Sequence, residues 1–224
     1  MELKKYRADR LKIKTFFQDE GDFGRANYPK QMEFFEAGDK YRERCFMAGN
    51  RVGKTIAGAF EVTSHLTGDY PHWWLGYYFD RPIRAWAAGK TNETTRDIVQ
   101  EKLLGQVIGS GPTKGVSGTG MIPGDLIGDI NWKQGVPDLV DNVMIKHVSG
   151  EWSMLGFKSY QQGRGSFEGT EQDFIWLDEE PPMDVYGECL IRTATTNGRI
   201  VLTFTPLEGM SETVMQFIPQ GVAT

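Results

Sequence analysis

From residue 44 onward, short apolar runs alternate with longer amphipathic stretches, and glycine or proline marks most of the changes. Residues 44–48 read as a strand, a glycine loop follows, and 55–66 read as a helix. The next strand is expected at 83–88 and the next helix at 91–104. Two apolar runs at 143–148 and 153–160 predict a hairpin about Gly150. Residues 173–177 have a buried-strand pattern, 185–193 a helical one, and 199–205 make a final strand. Strands alternating with helices imply an α/β fold with a mostly parallel central sheet flanked by helices.

Two stretches depart from this rhythm. Residues 1–40 read as a helical prologue, with Leu11, Phe16 and Phe17 on a possible apolar face and a Gly/Asp break at 21–24. A short helix restarts after Pro29 and can end at Gly38. The Gly- and Pro-rich stretch from about 105 to 137 is too long for an ordinary connection, so it is a functional excursion or a mobile insertion.

Composition narrows the class. At 224 residues, with 39% hydrophobic and 25% charged residues, the chain is globular and large enough for a core without a metal or disulfide staple. The net charge of −5 lowers the expectation of nucleic-acid contact without excluding a local patch. Charge is uneven: residues 1–14 form a basic arm, and Asp178, Glu179 and Glu180 are consecutive acids. Cys45 and Cys189 have no paired spacing and read as buried thiols of a reducing compartment. His65, His72 and His147 do not support a metal site. Apolar runs are short and the N-terminus is charged, so a soluble cytoplasmic protein that does not enter membranes is expected.

The strongest motif is Ala48-Gly49-Asn50-Arg51-Val52-Gly53-Lys54-Thr55, of the form [A/G]-x4-G-K-[S/T]. Successive backbone N–H groups in such a loop make an anion nest, and the following helix N-terminus adds partial positive charge. Lys54 can reach β- and γ-phosphates, Thr55 can ligate Mg²⁺, and Gly53 permits close backbone approach. The second motif is the apolar run Phe174-Ile175-Trp176-Leu177 ending in Asp178-Glu179-Glu180. At the carboxyl end of a parallel strand, Asp178 suits the Mg²⁺ shell and Glu179 the activation of water. Strand alternation places Glu180 on the face of Asp178, so Glu180 is the alternative base. Pro181 and Pro182 end the strand.

With Thr203-Phe204-Thr205-Pro206-Leu207 as a third ordered motif, the chain resembles the large terminase subunit of tailed bacteriophages. Those proteins are DNA-packaging motors with an N-terminal P-loop ATPase domain and a C-terminal ribonuclease-H-like nuclease domain. The resemblance implies a P-loop ATPase of the additional-strand, catalytic-glutamate type, with ATP and Mg²⁺ as cofactors. It implies adenine recognition by Gln31 with Tyr28 nearby, and γ-phosphate sensing by Thr203 and Thr205. Arg51, inside the loop, resembles an arginine acting in cis. Arg164 resembles a finger offered to a neighbouring subunit. A coupling strand between the P-loop and acidic strands is also implied.

On this likeness residues 1–40 carry the adenine motif, 41–210 the ATPase core, and 211–224 the start of a linker to a nuclease domain that the chain lacks; nuclease activity is not expected. The implied partners are double-stranded DNA, the portal protein, a small terminase subunit and further copies in a ring on the portal, in the cytoplasm of the bacterial host. The glycine-rich insertion, with Lys114 and Lys133, is one candidate for the DNA-gripping surface. A helicase-like translocase and an ATP-gated docking module without turnover are the alternatives.

Overall fold

The computed structural model describes residues 11–207 and 209–218; the basic arm before residue 11 and the end of the expected linker lie outside the described residues. The first regular helix, α1 (Pro29–Glu36), carries proline in its first turn, where the missing N–H is harmless. Strand β1 (Glu43–Met47) leads through the glycine loop into α2 (Lys54–Thr67), which ends at Gly68 in the left-handed conformation. Strand β2 (Arg84–Gly89) is followed by a continuous helical stretch. It comprises α3 (Asn92–Thr94), a π-helical segment (Thr95–Gln100) and α4 (Glu101–Leu104).

Next come the two-residue strands β3 (Val107–Ile108) and β4 (Gly115–Val116), then β5 (Ile127–Trp132), β6 (Val140–Lys146) and β7 (Trp152–Ser159). The chain continues with β8 (Phe174–Asp178), α5 (Met183–Ala194), β9 (Arg199–Phe204) and α6 (Glu212–Phe217). Seven strands form one sheet in the order β1-β9-β8-β2-β7-β6-β5. The first five are mutually parallel, and β6 and β5 add an antiparallel edge.

This order decides where the chemistry sits. β9 lies between β1 and β8, with Phe46 and Asp178 both in register with Thr203. The carboxyl ends of the glycine-loop strand and the acidic strand therefore meet across the end of β9. β8 is buried along its whole length, and its alternation divides the core. Phe174 and Trp176 join the cluster that includes Phe60 of α2. Ile175 and Leu177 join the opposite cluster with Tyr186 and Cys189 of α5. On the α2 side, buried Arg44 pairs with buried Glu61, tying β1 to the helix it leads into.

Two expectations are corrected. Residues 11–28 form no regular helix, only the 3-10 turns Lys12–Lys14 and Arg25–Asn27. Leu11 is exposed, and Phe17 takes φ of 57° as it packs against Phe60 and Phe35. Burial of that ring overrides local helical preference. The glycine-rich stretch is no mere excursion, since β5 lies within it and closes one edge of the main sheet. Register shifts between β5 and β6 break the strict period of two, which hid this strand from pattern reading.

Candidate functional site

The loop from Ala48 to Gly53 turns on two left-handed residues, Arg51 (φ 63°) and Gly53 (φ 86°). Gly53 is the N-cap of α2 and supplies no side-chain cap, so the first-turn N–H groups of this 14-residue helix are offered towards the loop. Lys54 is buried and folds back on the loop, donating to the Gly49 carbonyl and, at 3.0 Å, to the Thr205 hydroxyl. Burial lowers its pKa, while the charges of Glu179 and Asp178 oppose the shift. Thr205 Oγ1 also lies 3.0 Å from the Ala48 carbonyl and 2.9 Å from Asn50 Oδ1, so its proton is shared between them.

Asp178 lies beneath this arrangement, 2% exposed. Its Oδ1 accepts from Thr55 at 3.1 Å and from Thr203 at 2.7 Å. Thr203 in turn accepts from the Trp176 indole N–H at 2.7 Å. Because that N–H can only donate, it forces the Thr203 proton towards Asp178. The Asp178 pKa is pushed up to about 7, chiefly by burial, with the Thr203 bond opposing and the Glu179 charge adding. α2 approaches β8 closely enough that a Cβ on Gly58 would fall 2.3 Å from the Trp176 indole nitrogen. Only glycine leaves room for this ring.

A cavity of about 320 Å³ opens above these groups, with Arg51, Lys54, Thr55, Glu179, Thr203 and Thr205 in its wall. A second, of about 520 Å³, lies on the other side of the loop against Tyr28, Gln31, Ala48, Val52, Phe16 and Phe46. Both are also lined by Arg51, Gly53 and Ile56, so they adjoin across the loop. Gln31 is buried, and its amide N–H donates to the Val52 carbonyl at 2.8 Å. Besides lining the second cavity it therefore braces the loop.

The residues expected from the two motifs thus converge, whereas Arg164 stands apart. It opens the 3-10 turn Arg164–Phe167, is 53% exposed at its side chain, and donates to Glu188 Oε2 at 3.0 Å. Glu188 is buried and also pairs with Arg192. The insertion lysines have partners as well. Lys114 pairs with Asp138 and lies over the Trp132 ring, and Lys133 donates to Gln162. Sequence reading missed the positions of Trp176 and Gly58 in the Asp178 network, and Lys102 of α4, which lines the smaller cavity beside Lys54 and Thr55. Only the π-helical segment before α4 sets that turn apart, and such segments often mark functional sites.

The strand order, the glycine loop and the Lys54–Thr55–Asp178 cluster define a P-loop α/β fold in which an additional strand separates β1 from the acidic strand. The family profile described as "Terminase large subunit, T4likevirus-type, N-terminal" matches residues 45–221, and the chain belongs to that family. The large terminase subunit of Salmonella phage P22 is 41% identical over 212 residues, covering 86% of this chain and 41% of the relative. The chain therefore spans about two fifths of that relative's length. The large terminase of a thermophilic bacteriophage, solved in complex with ADP, is 12% identical at a TM-score of 0.45, over 88% of this chain and 38% of that one. The HK97 bacteriophage large terminase is 11% identical at 0.49, over 79% and 32%. These two likenesses are too distant to add to the fold assignment. Among the described residues, no helix is long and apolar enough to cross a membrane.

Proposed function

We propose that this chain is the ATPase unit of a viral DNA-packaging motor, hydrolysing Mg-ATP to move double-stranded DNA into a procapsid. The observation that carries the reading is the convergence of Lys54, Thr55 and Glu179 on one cavity at the N-terminus of α2, with Asp178 bonded to Thr55 beneath it. Lys54, Arg51 and the α2 N–H groups offer positive charge where phosphates would lie. Tyr28 and Gln31 line the base-side cavity, and the second amide proton and the carbonyl oxygen of Gln31 can address adenine.

A buried carboxylate beside a hydroxyl is a hard-oxygen pair that fits Mg²⁺, so Thr55 and Asp178 would hold it. When bound, Mg²⁺ neutralises charge on the phosphate oxygens. Glu179, half-buried in the cavity wall, takes the proton of the attacking water. An arginine, Arg51 in cis or Arg164 from a neighbouring copy once it leaves Glu188, stabilises the transition state. Thr205 is bonded to both Lys54 and the loop, so movement of either passes into the end of β9. Residues 41–210 form the core of this unit. In this reading its partners are DNA, the portal protein, a small terminase subunit and further copies in a ring, in the cytoplasm of the host bacterium.

Steady-state phosphate release from Mg-ATP, measured over a range of protein concentrations, tests the proposal. Turnover should rise faster than linearly with protein and be lost in Glu179→Gln and Arg164→Ala. Linear turnover that is insensitive to Arg164→Ala would move the arginine role to Arg51 alone. Turnover that survives Glu179→Gln would overturn the assignment of the base.

A further inference from the structure

Strand alternation alone would turn Glu180, not Glu179, towards the face of Asp178. The structure reverses this, because the chain leaves β8 through Glu179 at φ 66°, a left-handed conformation that non-glycine residues rarely adopt. Glu179 then lines the phosphate-side cavity, while Glu180 turns away and its carboxylate accepts from Ser211. Something must hold that peptide, since an unsupported glutamate would relax out of it.

Two contacts do so. On the β9 side, the Glu179 N–H donates to the Thr203 carbonyl at 3.1 Å. On the other side, the Tyr160 hydroxyl lies 2.9 Å from the Asp178 carbonyl and 3.1 Å from the Glu179 carbonyl, sharing one proton between consecutive peptides. Tyr160 follows the end of β7, with β2 between it and β8. It is 5% exposed, and the Gln161 N–H donates to the Lys90 carbonyl just beyond β2. Its ring packs near Phe167, which belongs to the same turn as Arg164.

We propose that Tyr160 is a positioning residue: its hydroxyl clamps the Asp178–Glu179 backbone in the left-handed turn that aims Glu179, rather than Glu180, at the phosphate cavity. The role presupposes that Glu179 is the base of the ATPase proposed above.

The test compares wild type, Tyr160→Phe and Glu179→Gln. Tyr160→Phe removes one oxygen and keeps the ring. We expect kcat to fall about tenfold, as for a catalytic group displaced by a fraction of an ångström. The KM for ATP, set by the loop and Gln31, should hold within twofold. In the nucleotide-free chain, NMR amide exchange at Glu179 should rise about tenfold while the melting temperature stays within a few degrees. Unchanged kcat and unchanged exchange would overturn the clamp. So would a kcat loss matched by KM and melting temperature, the pattern of a purely structural residue. If wild type and Glu179→Gln turn over ATP equally, Glu179 is not the base; if neither turns over ATP, the ATPase reading fails. In both cases the exchange measurement still decides whether Tyr160 holds the turn.

Discussion

The buried ion pair between β1 and α2 makes a demanding prediction. Arg44 and Glu61 have side chains 4% and 1% exposed, and Glu61 also lies 3.3 Å from the equally buried His65. Arg44 further donates to the Phe34 carbonyl at 2.6 Å. Removing one partner of a buried pair leaves a charge without compensation and costs about 3–5 kcal/mol. For a chain of this size that corresponds to a melting temperature roughly 6–20 °C lower. The loss is large against the ~5–15 kcal/mol that holds a typical domain folded.

Arg44→Met should show this cost in full at pH 8. His65 adds a pH signature. In the native chain burial lowers its pKa; the Glu61 bond and charge oppose this, and Arg44 repels the imidazolium. Burial alone would raise the Glu61 pKa, but Arg44 and His65 outweigh it and keep the carboxyl ionised. For His65 the folded pKa lies below the unfolded one. Its contribution to stability is therefore present above the unfolded value of about 6.5 and is lost as pH falls below it. Without Arg44 the imidazolium becomes the hydrogen-bonded counter-charge for Glu61, its folded pKa rises against the remaining repulsion of Arg199, and the variant regains stability as pH falls from 8 to 6. Thermal unfolding followed by circular dichroism at both pH values reads this directly. Arg44→Met with Glu61→Leu should recover at least half of the single-variant loss. A single-variant cost below about 1 kcal/mol at pH 8, or one that does not change with pH, would refute the reasoning.

Two further substitutions probe the site. Gly58→Ala places a methyl group 2.3 Å from the Trp176 indole nitrogen. Overpacking costs of about 1–3 kcal/mol should exceed the ~1 kcal/mol gained in helix propensity, so the melting temperature falls. The same substitution should lower kcat, because Trp176 fixes the Thr203 proton on Asp178; steady-state hydrolysis checks it. Gln31→Ala should weaken ATP binding about tenfold, since the amide both holds the Val52 carbonyl and borders the base-side cavity. Titration with ATP and GTP separates these roles: a greater loss for ATP marks base recognition, whereas equal losses leave only loop bracing.

Local chemistry carried much of this protein. The run from Ala48 to Thr55 predicted a phosphate loop between strand and helix, and β1 and α2 fall within one or two residues of the expected bounds. The apolar run ending at Asp178 likewise predicted a strand buried on both faces. These signals are legible because each depends on neighbours in sequence: glycine where φ is positive, and uninterrupted apolar residues where both faces are covered. Packing against distant residues was not legible. Phe17 left helical geometry to reach Phe60, and β5 was hidden by its shifted register with β6. The choice between Glu179 and Glu180 also lay beyond periodicity, because a left-handed turn at Glu179 reverses the alternation. The sequence by itself determined which loop and which strand end carry the groups of the proposed nucleotide site. Only the tertiary structure decided which way they face, since the Thr203 hydroxyl reaches the Asp178 carboxylate from β9, the Tyr160 hydroxyl reaches the Asp178 and Glu179 backbone carbonyls from the end of β7, and the Trp176 indole orients Thr203.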